Sequence, residues 1–140
     1  MGDKITITPE VIGEGIELHA NRIITSYKGS SEIETDKLLK VASGFQERQY
    51  IYIRAFERLL FGTGQFIEDM PEALKGEVNA TPEILIEKGL SVGGPTLILS
   101  SSGEVLVLIS NLSPHLCKIE FNEHIASLSF APLPLVEITL

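Results

Sequence analysis

The sequence predicts an all-β domain, barrel-like or sandwich-like, of about nine or ten strands. Three observations carry that expectation. Short runs alternate apolar with polar side chains, the period of a half-buried strand. Gly, Pro, Asn and Ser punctuate the chain between those runs. One segment, Val105 to Ile109, is apolar on both faces and belongs in the middle of a two-sheet core.

Taken in order, Ile5 to Thr8 and Ile16 to Ile24 alternate as half-buried strands, and Lys28 to Ser31 reads as a turn. Thr35 is placed to cap a helix of about two turns through Asp36, Leu38, Leu39 and Val41, closed by Gly44. This is the one plausible helix of any length. From Gln49 to Leu60 the period is two. Tyr50, Tyr52, Arg54, Phe56 and Arg58 share one face, and Ile51, Ile53, Ala55, Glu57 and Leu59 the other. Cross-strand packing with the arginine stems laid along it accounts for the aromatic face. The same composition also suits an interface or a nucleotide groove. Pro71 to Gly76 reads as a turn or a single helical turn. Further strands are expected at Ile84 to Ile86, Thr96 to Leu99, Glu104 to Ser110, Cys117 to Phe121 and Ile125 to Phe130. The end, Ala131 to Leu140, is apolar with two prolines, which suits an edge or an arm. With no repeat and no linker, residues 1–140 read as one domain, with 132–140 as a C-terminal arm.

Apolar residues make up 44% and charged residues 21% of the 140, which is ordinary for a globular chain and argues against disorder. The single cysteine, Cys117, has no intrachain partner and reads as a small core filler rather than a nucleophile. A formal charge of −8 disfavours sequence-independent nucleic-acid binding. The longest apolar run is far below the roughly 20 residues of a membrane-spanning helix. The acidic, alternating N-terminus is no signal peptide and Gly2 no lipidation signal, so a cytoplasmic or virion location is expected. His19, His115 and His124 lack metal-ligand spacing, and no metal or other cofactor is expected. Ser100, Ser101 and Ser102 form a loop and no nucleophile elbow. Glu68 and Asp69, adjacent in a strand, point to opposite faces and read as solvated.

Four stretches together resemble the trimeric dUTPase and dCTP-deaminase superfamily. Gly15 to Ala20 (GIELHA) is similar to its first motif, Gly-Tyr-Asp-Leu-x-Ala, with Glu17 at the acid. Leu59 to Val78 resembles its strand, Pro-Glu-Gly turn and returning strand. Glu87 to Gly94 resembles its Lys-His-Gly-Ile-Ser-Val-Gly. Ser102 to Phe130 resembles its Arg-Gly-Glu-Val, strand, Asn, strand and Gly-Asp-Arg-Ile-Ala-Gln-Leu ending. The resemblance implies a dUTPase-like (β-clip) fold, a distorted barrel or jelly-roll-like sandwich with at most one short helix. It also implies a homotrimer whose sites are shared between subunits. The arm residues Leu133, Leu135, Val136, Ile138 and Leu140 would then form the crossing contact.

The same alignment departs from the family where its chemistry lies. Thr81, Pro82 and Glu83 stand at the phosphate-gripping Arg-Ser-Gly, and Pro82 lacks an N–H while Glu83 adds a negative charge. Ile98 stands at the water-activating Asp, and Leu108 at the deaminase branch's Glu. Glu17 has the hard carboxylate that suits Mg²⁺ but reads as a solvated strand residue. The expectation is therefore a catalytically degenerate, non-enzymatic homotrimer, with decoration of a viral or phage capsid lattice as the specific role. The alternative is a regulatory nucleotide-binding module or a divergent nucleotide enzyme with relocated residues. An Ile98→Asp change is expected to destabilise the fold by burying a carboxylate without a partner.

Overall fold

A twelve-residue strand runs through the centre of the molecule, and most of the chain is arranged around it. The computed structural model describes residues 3–93 and 97–132. The arm residues Leu133, Leu135, Val136, Ile138 and Leu140 lie outside them. Elements follow in the order β1 (Asp3–Thr6), α1 (Pro9–Glu14), β2 (Ile16–His19), β3 (Arg22–Lys28), β4 (Ser31–Glu32), α2 (Thr35–Arg48), β5 (Tyr50–Ile53) and β6 (Glu57–Glu68). Then come β7 (Leu74–Ala80), a π-helical turn (Glu83–Glu87), β8 (Leu90–Val92), β9 (Ile98–Leu99), β10 (Glu104–Asn111), β11 (Cys117–Glu120) and β12 (His124–Pro132). The all-β class holds, with more strands and more helix than the sequence pattern implied.

The largest sheet has the order β4-β3-β6-β10-β8, with β1 parallel to β6 and β9 antiparallel to β10. β2-β12-β7 form a second sheet and β11-β5 a two-stranded third. β10 is the expected central strand: Val105, Leu106, Val107 and Ile109 are all buried. The core gathers these with Leu18, Phe45, Leu59, Phe61, Ile84, Ile119, Ile125 and Leu128. At roughly 1.5–3 kcal/mol per fully buried large side chain, this cluster is the main favourable contribution to folding.

Five departures from the expected elements have identifiable causes. α1 was not anticipated. Thr8 caps it, its Oγ1 accepting from Val11 N at 3.3 Å, with Pro9 at the start. α2 runs past Gly44 to Arg48, because Phe45 is fully buried, edge-on to Phe61 at 5.9 Å. That burial outweighs the ~1 kcal/mol cost of a glycine inside a helix. Glu34, rather than Thr35, stands at the N-cap, with no side-chain cap bond. The run Gln49 to Leu60 is two strands, broken at a turn where Phe56 takes φ 61°. Ile84 to Ile86 is helical: Thr81 Oγ1 accepts from Ile84 N at 3.2 Å, and Pro82 begins the turn.

Cys117 is buried and its thiol donates to the Lys88 carbonyl at 3.3 Å, the place of a core filler. Asn111, also buried, donates to the Ile53 carbonyl at 3.0 Å and accepts from Ser113 N at 3.0 Å, tying the end of β10 to β5.

Candidate functional site

The polar face of the β2-β12-β7 sheet collects the chemistry. Along β2 the two-residue period buries Leu18 and leaves Glu17 and His19 outside. Register places His19 opposite His124, and Ser127 between Glu17 on β2 and Asn79 on β7. A bulge between His124 and Ala126 shifts β12, so His124 and Ser127 come onto the same side, His124 Nε2 lying 3.3 Å from Ser127 Oγ. Thr81, one residue past β7, is held against β12 by its N–H to the Ile125 carbonyl at 3.2 Å.

These placements produce a row of side chains. Glu17 Oε2 lies 3.6 Å from His19 Nε2, and His19 Nδ1 donates to the Asn122 carbonyl at 3.0 Å, which fixes the ring. The His19 and His124 rings stand 5.3 Å apart, tilted at 34°. A cleft of about 320 Å³ lined by Asn79, Thr81, Glu83, His124 and Ser127 lies on one side of the row. A second, of about 290 Å³, is lined by Gly15, Glu17, His124 and Ser127.

On the other side of β2 lies a larger cavity of about 820 Å³, bordered by Glu17, His19, Asn21, Arg22, Gln65 and Glu104. Glu104 is fully buried and paired with the half-exposed Arg22, and it accepts from Gly64 N at 2.9 Å. Gly62 makes room for the pair, since a Cβ there would stand 2.7 Å from Glu104 Oε2. Gln65 Nε2 donates to the Glu17 carbonyl at 2.8 Å, and its Oε1 is buried with no hydrogen-bond partner. A bordering cavity with an unanswered acceptor has the character of a ligand site.

The structure thus brings together Glu17, Thr81, Pro82 and Glu83, with His19 and His124 beside them. It sets the others apart. Ile98 sits on β9 in the large sheet, 37% exposed, so a carboxylate there would stay in contact with water and would not carry the burial penalty expected from the sequence. Leu108 packs within 3.0 Å of where a Gly93 side chain would begin. His115 and the Ser100 to Ser102 loop, closed by a 2.9 Å hydroxyl contact, lie outside the row. Glu68 is an exposed partner of Lys4 at 3.2 Å, and Asp69 turns away at φ 52°. Among the described residues, no three His, Cys, Asp or Glu side chains are placed to hold a metal ion. The sequence reading missed the His19–His124 pairing and the Glu104–Arg22 pair. Both join segments far apart in the chain, and only the alternation that puts Glu17 and His19 on one side of β2 is a local signal for the first.

Known proteins bear on this arrangement. No family model matches the chain. It is 39% identical over 88 residues to the deoxyuridine 5′-triphosphate nucleotidohydrolase of Aquifex aeolicus, covering 61% of this chain and 58% of that protein. The Hydrogenobaculum enzyme of the same name is 34% identical over 90 residues, covering 63% and 62%. Among solved structures, the dUTPase of Streptococcus mutans superposes with a TM-score of 0.53 at 16% identity, over 64% of this chain and 75% of that one. The dUTPase of Staphylococcus bacteriophage 80alpha does so at 0.53 and 16%, over 66% and 71%. The chain is thus similar in sequence to named dUTPases over about three fifths of its length and shares the dUTPase-like fold. It spans about three fifths of the length of the curated relatives that it matches.

Similarity to proteins named as nucleotidohydrolases overturns the expectation of a non-enzymatic structural protein, and the pseudoenzyme and capsid-decoration readings go with it. The physical reason is plain. Replacing groups at the expected motif positions does not empty a site when a carboxylate, two imidazoles and a hydroxyl stand side by side on the motif-bearing face.

Proposed function

We propose that this chain is a nucleotide hydrolase of the dUTPase type, acting on a deoxynucleoside triphosphate, with dUTP the first candidate. One observation carries the reading. The stretches that resemble the family's first and final motifs, and the segment Thr81 to Glu83 that stands where its phosphate grip is expected, meet on one polar sheet face, in a chain 39% identical over 88 residues to a named deoxyuridine triphosphate nucleotidohydrolase.

In this reading Glu17, steadied by its neighbour His19, accepts a proton from the attacking water. His124 and Ser127 donate to phosphate oxygens, and the Thr81 hydroxyl lies at the edge of the same cleft. Glu83 opposes a triphosphate: one repulsion at about 4 Å costs on the order of 4 kcal/mol at an effective dielectric near 20. Mg²⁺ bound to the substrate's own phosphates would offset that charge. Ile98 and β9 lie on a different sheet from this row, so the family's shared-site arrangement would supply that hairpin from a neighbouring subunit.

We therefore also infer a homotrimer. Leu85, Ile86, Leu112 and Leu116 are 56–76% exposed, and Ile86 and Leu116 border one groove. Such apolar exposure favours association. The arm residues Leu133, Leu135, Val136, Ile138 and Leu140 would add to it. The test is turnover of dUTP with Mg²⁺ by the purified protein against Glu17→Ala and His124→Ala variants, with light scattering for the assembly. Turnover that survives both substitutions unchanged would move the chemistry off this face.

A further inference from the structure

A second cavity, away from the proposed hydrolytic face, concentrates positive charge in an acidic chain. It measures about 430 Å³ and lies between α2, β3 and β5. Buried Ser26 and Ile51 form its floor, and Lys37, Lys40, Arg48 and Arg54 line it against a single carboxylate, Glu57. Four of the chain's eleven Lys and Arg residues thus border one cavity, in a chain of formal charge −8. Among the described residues, none of the four belongs to an ion pair. Glu57 Oε1 faces the backbone N–H of Arg54, at 3.4 Å, rather than a guanidinium.

The helix builds this arrangement by spacing. Lys37, Lys40, Gly44 and Arg48 follow at three, four and four residues, which is one face of α2. Gly44 has no side chain, and the Arg48 guanidinium occupies that space, 2.6 Å from where a Cβ would stand. Like charges on one helical face repel one another, and an anion placed among them removes that cost. Beside the charges stands a ring. Tyr52, 47% exposed, lines the cavity and packs edge-on to Tyr50 at 5.6 Å, with Lys118 Nζ 4.7 Å from the centre of the Tyr50 ring. A flat surface next to four cations fits a ligand that carries phosphates at one end and an aromatic ring at the other.

We propose that this cavity binds a nucleoside polyphosphate, its phosphates on Lys37, Lys40, Arg48 and Arg54 and its base against Tyr52. It shares no residue with the row Glu17, His19, His124 and Ser127, so it is a second nucleotide site and not an extension of the first. Its volume lies within the range of small-molecule sites. Stacking on a tyrosine tolerates any base, so the phosphates carry most of the recognition.

The chain's three tyrosines allow a test that reads this cavity alone. Tyr52 lines it, Tyr50 packs against Tyr52, and Tyr27 packs against Arg58. Ring-proton NMR is followed on the full chain while ATP, GTP, CTP and UTP are added separately, with Tyr52→Phe assigning the signal. At least one nucleotide is expected to shift the Tyr52 signal and leave Tyr27 in place. The Lys37→Glu/Lys40→Glu variant is expected to raise the half-saturation concentration at least about tenfold. Both lysines are exposed, and the variant's melting transition shows whether it folds. The shift is expected to persist in His124→Ala, which separates this site from the sheet face. No shift with any of the four nucleotides, or equal half-saturation in the charge-reversed variant, would overturn the proposal. A short single-stranded oligonucleotide acting at lower concentration than every mononucleotide would overturn it as well.

Discussion

Glu104 is the residue whose environment is most constrained. Its carboxylate is fully buried, and Arg22 and the Gly64 N–H are its partners. Removing one partner of a buried pair costs about 3–5 kcal/mol, and Arg22 is 51% exposed, so water recovers part of that. Arg22→Ala is therefore expected to lower stability by about 2–3 kcal/mol in urea titration. Glu104→Gln keeps the acceptor for Gly64 and should cost less. Equal losses from the two would mean that the charge is irrelevant. At the proposed site, His124 is solvated enough to be replaced without harm to the core. His124→Ala is expected to reduce nucleotide turnover by at least about tenfold with the melting temperature little changed. Ile98→Asp is expected to fold normally, because its exposed position leaves the new carboxylate in water.

Among the elements, the strands were legible where burial is strict. Val105 to Ile109 showed its place through apolar side chains on both faces, and Cys117 to Glu120 through alternation. Helices were less legible, for a reason that two segments share. Thr8-Pro9-Glu10 and Thr81-Pro82-Glu83 both open a helical turn, each threonine hydroxyl accepting from the N–H three residues on. The tripeptide is a capping signal. At the second position the family motif masks that signal, because Thr81-Pro82-Glu83 stands where the phosphate grip is expected, and the three apolar residues after it match a strand. Gly44 is a common end signal, so the pattern predicts that α2 closes there, whereas the contact with Phe61 that extends the helix is non-local and invisible in the pattern. Phe45→Ala tests this directly. It is expected to cost about 3–5 kcal/mol and to fray the last turn of α2, measured by urea titration and hydrogen exchange. A loss near the ~1 kcal/mol of a surface change would mean that the contact with Phe61 does not hold the helix.

At the scale of the whole molecule, the site was only half legible. Glu17 and His19 share a face by simple alternation, but their meeting with His124 and Ser127 depends on β2 and β7 both pairing with β12, more than a hundred residues along the chain from β2 in the first case. No local pattern encodes that pairing. The inferred trimer has its own test: deleting residues 133–140 is expected to shift the mass in light scattering toward monomer and lower the melting temperature. A full-length monomer at micromolar concentration would contradict it. The central claim is hydrolysis on the β2-β12-β7 face, and the most direct measurement is chromatographic separation of nucleotides after incubating the purified chain with dUTP and Mg²⁺. Conversion of dUTP to a deoxyuridine nucleotide with fewer phosphates, lost in the Glu17→Ala/His124→Ala double variant, is the predicted result. A folded, assembled protein that leaves dUTP intact, or a double variant that converts it as fast as the parent, would contradict the account.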